Sequence, residues 1–308
     1  MTRAASFEGI TVLERGWLSS NNVLLHNPPG EGALLVDSSH CLHSEQTLAL
    51  LDKVLAQEPL RRLVNTHLHS DHCGGNAAVQ RHTGCTISVP PGHFEAALRW
   101  DDDALGYAYS GQTCERFAPD DRLRPGESVA GGGRVWTALA APGHDPHSLI
   151  LFDATQGVLI SADALWEQGF GVVFPEIEGE PGFDEVAQTL DLIESLDARS
   201  VIPGHGAPFS DVPAALQRAR RRLDSFVAEP ERHSWHGAKV MIKYHLLEVR
   251  RQRWPDFEAW LAATPIFERA WLQLGRPEGG LPAFGQRLVR ELADRGALTL
   301  ADGCLLDA

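Results

Sequence analysis

Short apolar runs alternate with helical periodicities through the first two thirds of the chain. Runs with the length and composition of buried strands lie at residues 33–37, 63–66, 85–89, 135–140, 149–152, 158–161 and 200–202. Between them, Leu48, Leu51 and Leu55 recur at helical spacing, and residues 184–196 predict a second amphipathic helix. Strands that alternate with helices predict an α/β domain in this part of the chain.

The pattern changes after about residue 212. Helices are predicted at residues 213–228, 237–252, 255–273 and 282–295. The last residues, GALTLADGCLLDA, predict two short strands around the turn Asp302-Gly303. A helix followed by such a hairpin is the outline of a winged-helix module. We therefore predict one domain of residues 1–212 and a smaller, mostly helical, winged-helix-like domain of residues 213–308.

The net charge of −14 comes from the first part of the chain, because residues 1–215 contain 29 acidic and 12 basic residues. Such a field repels polyanions and argues against nucleic acid as a partner. No stretch reaches the roughly 20 apolar residues that cross a bilayer, and the N-terminal residues lack the apolar segment of a secretory signal. The five cysteines are odd in number and have no CxxC spacing. These features predict a cytoplasmic protein that is not inserted in a membrane.

Histidine and aspartate side chains follow the ends of four predicted strands. The densest stretch is HLHSDH at residues 67–72, directly after an apolar run, and two later histidines each follow a Pro-Gly pair. Strand ends are where α/β proteins place their chemistry, and these side chains suit Zn(II), Fe(II) or Mn(II). The candidate metal ligands are His67, His69, Asp71, His72, His144, Asp163 and His205.

The stretch HLHSDH resembles the HxHxDH signature of the metallo-β-lactamase superfamily. The Pro-Gly-His at 142–144, the Ser-Ala-Asp-Ala around Asp163 and the Pro-Gly-His-Gly at 203–206 resemble its later motifs, in the same order. The resemblance covers about residues 8–210. It implies a fold of the α+β class, an αββα sandwich of two sheets faced by helices, with a glyoxalase II-like metal site at one edge.

The resemblance also implies how the ligands are shared between two metals. One metal would be held by His67, His69 and His144. The other would be held by Asp71, His72 and His205, and Asp163 would bridge the pair. Two Zn(2+) ions are the first expectation, with Fe or Mn as alternatives. The best-known β-lactamases of the superfamily have a Cys where Asp163 stands, so this chain resembles its hydrolases of thioesters, lactones or phosphodiesters instead.

The implied function is hydrolysis of a small ester, thioester or lactone by a hydroxide that bridges the two metals. Asp71 would orient that hydroxide and is the candidate catalytic residue. Three alternatives stay open: a mononuclear Fe(II) persulfide dioxygenase, a phosphodiesterase or nuclease, and a non-enzymatic module whose small domain binds a partner. The negative charge argues against the nuclease, and the complete ligand set argues against the module.

Residues outside the motifs carry weaker signals. The aromatic residues Trp17, Tyr107, Tyr109, Trp166, Phe170 and Phe174 either wall the substrate pocket or pack their loops. Lys239, Lys243 and Tyr244 share one face of a predicted helix, which is a candidate surface for an anionic group. Asp37 either supports the ligands from behind or is a strand-end turn residue. The winged-helix-like end is assigned to packing or to a homodimer.

Overall fold

The first half of the chain forms a six-stranded sheet in the computed structural model, which describes residues 7–308. Its strands lie side by side in chain order: β1 (Ile10–Leu13), β2 (Asn22–Leu25), β3 (Ala33–Val36), β4 (Leu60–Val64), β5 (Thr86–Val89) and β6 (Asp121–Arg122). Strands β1 to β3 pair antiparallel, and β3 to β6 pair parallel. Parallel neighbours need crossovers. These contain α1 (Ser44–Leu55), α2 (Ser70–Cys73), α3 (Asn76–Thr83), α4 (Pro91–Arg99) and α5 (Tyr107–Ser110).

A second sheet of five strands follows, and it is mostly antiparallel. Its strands are β7 (Ser128–Gly131), β8 (Arg134–Ala140), β9 (Leu149–Asp153), β10 (Val158–Ala162) and β11 (Ser200–Pro203), again in chain order across the sheet. Only β10 and β11 pair parallel in this sheet of the described chain, with α6 (Phe174–Glu178) and α7 (Phe183–Ser195) between them. The register between β10 and β11 shifts between Ile160 and Ala162, directly before Asp163.

The inner faces of the two sheets form one apolar cluster. Leu25 and Val64 of the first sheet belong to it together with Trp136 and Ile160 of the second, and all of them are buried. Helices α1 and α3 cover the outer face of the first sheet, while α7 and α8 (Val212–Ala228) cover that of the second. Covering both faces explains why the strands are continuous apolar runs in the sequence. The expected αββα sandwich is confirmed.

The remaining residues form a helical region with an apolar cluster of its own. Its elements are α9 (Pro230–Val249), β12 (Arg251–Arg253), α10 (Trp254–Ala263), α11 (Pro265–Gln273), α12 (Gly280–Asp294), β13 (Leu298–Ala301) and β14 (Cys304–Asp307). The predicted final helix and hairpin are present, and β12 adds a third strand beside β14. Helix α8 packs against α7 and contributes to the core of the second sheet. The division of the chain at residue 212 stays a prediction.

Two helices differ from the predicted ones for local reasons. The predicted helix 255–273 is divided at Thr264-Pro265, because the residue before a proline avoids the helical conformation. Helix α9 begins earlier than predicted, at Pro230, since proline is favoured in the first helical turn. Among the helices of residues 7–308, none is both long enough and apolar enough to cross a membrane.

Candidate metal centre

Strand ends from both sheets meet at one edge of the sandwich. Strand β4 leads to His67, the loop after β8 to His144, β10 to Asp163 and β11 to His205. The structure brings the predicted ligands together in a first group of His67, His69 and His144 and a second group of Asp71, His72, Asp163 and His205. Within each group the ligand atoms lie within 4.8 Å of one another.

Three of the histidine rings are fixed from behind. The Nδ1 atom of His144 donates to the carbonyl oxygen of Val172 at 2.5 Å, and Nδ1 of His72 donates to Asp37 Oδ2 at 2.8 Å. The Thr66 hydroxyl donates to the same Asp37 oxygen and accepts from Nδ1 of His67 at 3.1 Å. Because the proton of each ring is on Nδ1, each Nε2 is a bare electron-pair donor, which is the form that binds metal.

The bare nitrogen of His72 in the second group points at carboxylates. Nε2 of His72 is buried, has no hydrogen-bond partner and lies 3.4 Å from Asp163 Oδ1 and 3.7 Å from Asp71 Oδ2. An unprotonated nitrogen beside two carboxylate oxygens is a repulsive arrangement unless a cation lies among them. This set of donors therefore fits a divalent metal ion.

The first group consists of three histidines, two of which have lowered pKa values. Nδ1 of His69 and Nε2 of His144 lie 2.8 Å apart, and Nε2 of His67 is buried without a hydrogen-bond partner. Burial and the neighbouring histidines bring the pKa of His69 to about 4, and they lower the pKa of His67 as well. These imidazoles are thus uncharged near neutral pH, as metal coordination requires.

The second group concentrates negative charge. Burial opposes ionisation of Asp71, but the charge of His72 and the hydrogen bond from His205 outweigh it and bring the pKa of Asp71 to about 2. The pKa of Asp163 is lowered in the same way, against its burial, by His72 and His205. Burial lowers the pKa of His72, but the surrounding carboxylates raise it well above its usual value. The carboxylates thus favour a positive charge beside His72, and a bound metal ion would supply that charge in place of a proton.

The backbone around the ligands has strained and very close positions. Asp37 and Ala162 adopt left-handed φ angles of 58° and 45°, which non-glycine residues seldom adopt. A Cβ atom at Gly204 would lie 2.2 Å from Asp163 Oδ1, so only glycine fits before His205. The site thus depends on a few backbone conformations that the surrounding fold holds in place.

A sequence model of the Metallo-beta-lactamase superfamily matches residues 15–205, which is more than half of the chain. The chain belongs to the metallo-beta-lactamase superfamily. Together with the two groups of histidine and aspartate side chains, this membership makes the protein a metal-dependent hydrolase that binds divalent metal through these residue types. The expected family, fold class and enzymatic character are confirmed.

Two known proteins with similar sequences have the same name. Hydroxyacylglutathione hydrolase from Synechococcus sp. (strain JA-2-3B'a(2-13)) is 29% identical over 67% of this chain and 71% of its own length. The protein of the same name from Thermosynechococcus vestitus is 30% identical over 56% of each chain. A crystal structure of a metallo-beta-lactamase family protein from Thermus thermophilus covers 97% of this chain and 99% of its own, with a TM-score of 0.56 at 20% identity. That last similarity concerns the fold.

Aromatic side chains wall a cavity of about 590 Å³ in front of the metal ligands of this superfamily member. Trp17 stacks on the His205 ring at a centroid distance of 5.2 Å, and Trp166 donates from Nε1 to Asp163 Oδ1 at 3.2 Å. Phe174 packs against His69, and Phe170 also lines the cavity. These aromatic residues are pocket walls, whereas Tyr107 lies in the core beneath the first sheet. Tyr109 lines a neighbouring cavity of about 570 Å³, which shares His69 and Phe174 with the first.

Two residues contact the HxHxDH loop: Gln112, which the sequence did not connect with this function, and Tyr244 of the candidate anion-binding face. Gln112 Oε1 accepts hydrogen bonds from the backbone N–H and the hydroxyl of Ser70, at 3.0 and 2.8 Å. The Tyr244 hydroxyl lies 2.7 Å from the same Ser70 hydroxyl. Ser70 stands between His69 and Asp71, so these bonds tie the loop to the segment after α5 and to α9. No motif reveals these pairs, because they are formed by residues far apart in the sequence.

The candidate anion-binding surface on α9 contains two lysines that form ion pairs within the protein. Lys239 forms an ion pair with Glu291 at 2.5 Å, and Lys243 forms one with Asp307 and also donates to a backbone carbonyl. Both ammonium groups are thus paired within the helical region, and their partners come from elements that the helical spacing of α9 does not reveal. Lys243 also lines the cavity in front of the candidate ligands. The role of these two lysines in holding a substrate anion stays a prediction.

Asp37→Asn is expected to weaken metal binding at the second group by roughly 10- to 100-fold. The carboxylate of Asp37 accepts from His72 Nδ1, from the Thr66 hydroxyl and from the Thr66 N–H at 2.9 Å. Asparagine keeps the size and tolerates the left-handed backbone, but it loses the charge that fixes the His72 ring. Competition with a chromophoric chelator measures the affinity. Asp52→Asn, on the exposed side of α1, is the matched control, and equal affinities for both variants would contradict this role.

Proposed function

We propose that this hydrolase cleaves a small thioester, or a related ester or lactone, with two zinc ions held by the seven His and Asp residues. The observation that carries the proposal is the position of Asp163 between the two groups. Its Oδ1 lies 3.4 Å from His72 Nε2 in the second group, and its Oδ2 lies 3.4 Å from His144 Nε2 in the first. A carboxylate that faces both groups suits a centre with two cations.

The chemistry that such ions supply when bound is Lewis acidity, which lowers the pKa of water towards 7 and polarises a carbonyl group. The chain provides the rest of the site. Asp71 accepts from His205 Nε2 through Oδ2 at 3.0 Å, and its carboxylate is positioned to accept a proton from the attacking water. Trp17 and Phe174 pack against the rings of His205 and His69. Water adds to the acyl carbon, the bond to sulfur or oxygen breaks, and an acid and a thiol or alcohol are released.

Two features support a small thioester as the first candidate. The relatives from Synechococcus and Thermosynechococcus are named for the hydrolysis of an acylated thiol, hydroxyacylglutathione. The cavity of about 590 Å³ has the size of small-molecule pockets, and its walls are largely aromatic and aliphatic. Zinc as the native metal, a cytoplasmic location and a homodimer stay predictions.

The test is a panel assay on the metal-loaded protein. Thioesters, lactones, esters and phosphodiesters of similar size are compared by kcat/KM, with glutathione persulfide added to test for a dioxygenase. We expect hydrolysis of at least one thioester and a lower kcat/KM for every phosphodiester. Oxygen uptake with the persulfide and no hydrolysis of any acyl compound would contradict the proposal.

A further inference from the structure

Arg222 on α8 is a partly buried cation that lines the same cavity as the metal ligands. Its guanidinium carbon lies 5.3 Å from the centre of the Phe170 ring and 5.5 Å from that of Phe226. A Cβ atom at Gly169 would lie 2.9 Å from Arg222 Nη1, so the chain leaves room for the guanidinium there. Burial lowers the pKa of Arg222, yet a guanidinium stays charged in proteins.

The hydrogen-bond partner of Arg222 does not neutralise its charge. Nη2 of Arg222 donates to Nε2 of His236 at 2.7 Å, so this nitrogen of His236 must be unprotonated. Burial and the nearby charges of Arg222 and Lys239 bring the pKa of His236 to about 4, which keeps the ring neutral. His236 therefore positions the guanidinium and leaves its positive charge uncompensated.

Several cations on the same two helices have carboxylate partners, whereas Arg221 on α8 is exposed to solvent. Arg220 pairs with Asp191 and Glu194, and the two lysines of α9 are paired as described above. In contrast, no carboxylate within residues 7–308 forms an ion pair with Arg222. Removing a cation from water without a counter-ion is costly. A cation left in this state in the wall of a substrate cavity indicates that the anion comes from the substrate.

The chain itself limits the distance between Arg222 and the metal ligands. Gly169 abuts Arg222, and Gly171 abuts the His144 ring, where a Cβ atom would lie 2.5 Å from Nδ1. Residues two apart are separated by at most about 7 Å, so the guanidinium and the His144 ring lie within about 15 Å of each other. Phe170, between the two glycines, lines the cavity with Met241, so the space between these ends is bordered by apolar side chains.

We propose that Arg222 binds a carboxylate of the substrate, so that the preferred substrates carry a carboxylate separated by an apolar segment from the acyl group that is hydrolysed. This inference rests on the proposed hydrolase function. One guanidinium beside a neutral histidine supplies a single positive charge, which matches a carboxylate better than a phosphate dianion. The planar fork can donate two parallel hydrogen bonds to the two carboxylate oxygens.

The kinetic test uses matched substrates on the metal-loaded enzyme. They are the S-phenyl half-thioesters of glutaric, adipic and suberic acids, each compared with the analogue in which an uncharged carboxamide replaces the free carboxylate. The wild type is expected to prefer the carboxylate at one length or more, as measured by kcat/KM. In Arg222→Gln that preference falls by roughly 10- to 100-fold, because charge-assisted hydrogen bonds are lost. An unchanged preference at every length would overturn the proposal.

Two further variants separate the role of the fork from effects on folding. Arg221→Gln removes an exposed arginine from the same helix and should keep the wild-type preference. Arg222→Lys keeps the charge without the fork and should give an intermediate preference. If Arg222→Gln does not fold, as judged by thermal melting, the comparison of Arg222→Lys with the wild type decides the question, and an equal preference would overturn the proposal.

Direct binding distinguishes a failure of this subsite from a failure of the proposed function. Phenylbutyrate and its uncharged amide are titrated by calorimetry into the metal-loaded wild type and Arg222→Gln. We expect Arg222→Gln to lose at least about tenfold in affinity for the carboxylate and little for the amide. A carboxylate held by the metals would bind both proteins alike, which would overturn the subsite. If Arg222 governs this binding but no acyl compound is hydrolysed, the subsite stands and the proposed function fails.

Discussion

Asp163→Ala is expected to lower kcat by at least roughly 1000-fold on any substrate that the enzyme hydrolyses. The carboxylate of Asp163 faces both ligand groups, so its loss removes a donor from each of them. Asp71→Ala should have a similarly large effect, because it removes a second carboxylate of the site and the group placed to orient the attacking water. Turnover under metal-saturating conditions is the measurement.

The fold should survive both substitutions, because the apolar clusters are built from other residues. Asp163 and Asp71 lie at the edge of the sandwich, whereas the cluster between the sheets contains residues such as Trp136 and Ile160. Circular dichroism and the midpoint of thermal unfolding check this expectation, and Asp52→Ala, with its exposed side chain, is the control for loss of a carboxylate. Near wild-type turnover by either site variant would refute the assignment of these residues.

Removal of metal with a chelator is expected to abolish hydrolysis, and added zinc should restore it. Seven ligands exceed the usual four of a single tetrahedral zinc site, so we expect about two ions per chain by elemental analysis of the restored protein. The metal-loaded form should also unfold at a higher temperature than the metal-free form, because ions that bind only the folded chain stabilise it. In Asp163→Ala the stoichiometry or the affinity should fall.

Outcomes of the metal experiment separate two parts of the proposal. Full activity after complete metal removal would contradict a metal-dependent reaction altogether. A constant value of one ion per chain, unchanged by excess zinc, iron or manganese, would contradict only the two-metal centre. Iron or manganese restoring more activity than zinc would leave the ligand set in place and change the identity of the native metal.

Much of the centre is already visible in the linear sequence. His67 to His72 fall within one short loop after an apolar run, and the later ligands follow strand ends. Such strands are buried on both faces, so their apolar character is continuous and their ends are sharply marked. The candidate ligands are therefore recognisable in the sequence, and the resemblance of their motifs to the superfamily implies the αββα sandwich.

The residues that hold the ligands in place from behind could be identified only from the three-dimensional structure. From the sequence, Asp37 is either a turn residue or a support for the ligands. In the structure its carboxylate accepts hydrogen bonds from His72 and Thr66. Gln112 and Tyr244 reach Ser70 from segments that carry no motif. Each of these contacts joins residues that are distant in sequence, and such pairs leave no periodic or compositional pattern in a single chain.

The sequence by itself determined the types of the candidate ligands and their order after strand ends, because these follow from local patterns of apolar and polar residues. The layers that bring them to one edge were implied by the resemblance to the superfamily. Only the tertiary structure decided which cations are free to meet a substrate. Lys239 and Lys243 share a helix face and form ion pairs with Glu291 and Asp307, while Arg222 lines the cavity beside a neutral histidine. The sequence shows which residues are charged, but the ion-pair partner of each charged residue depends on how distant elements pack together.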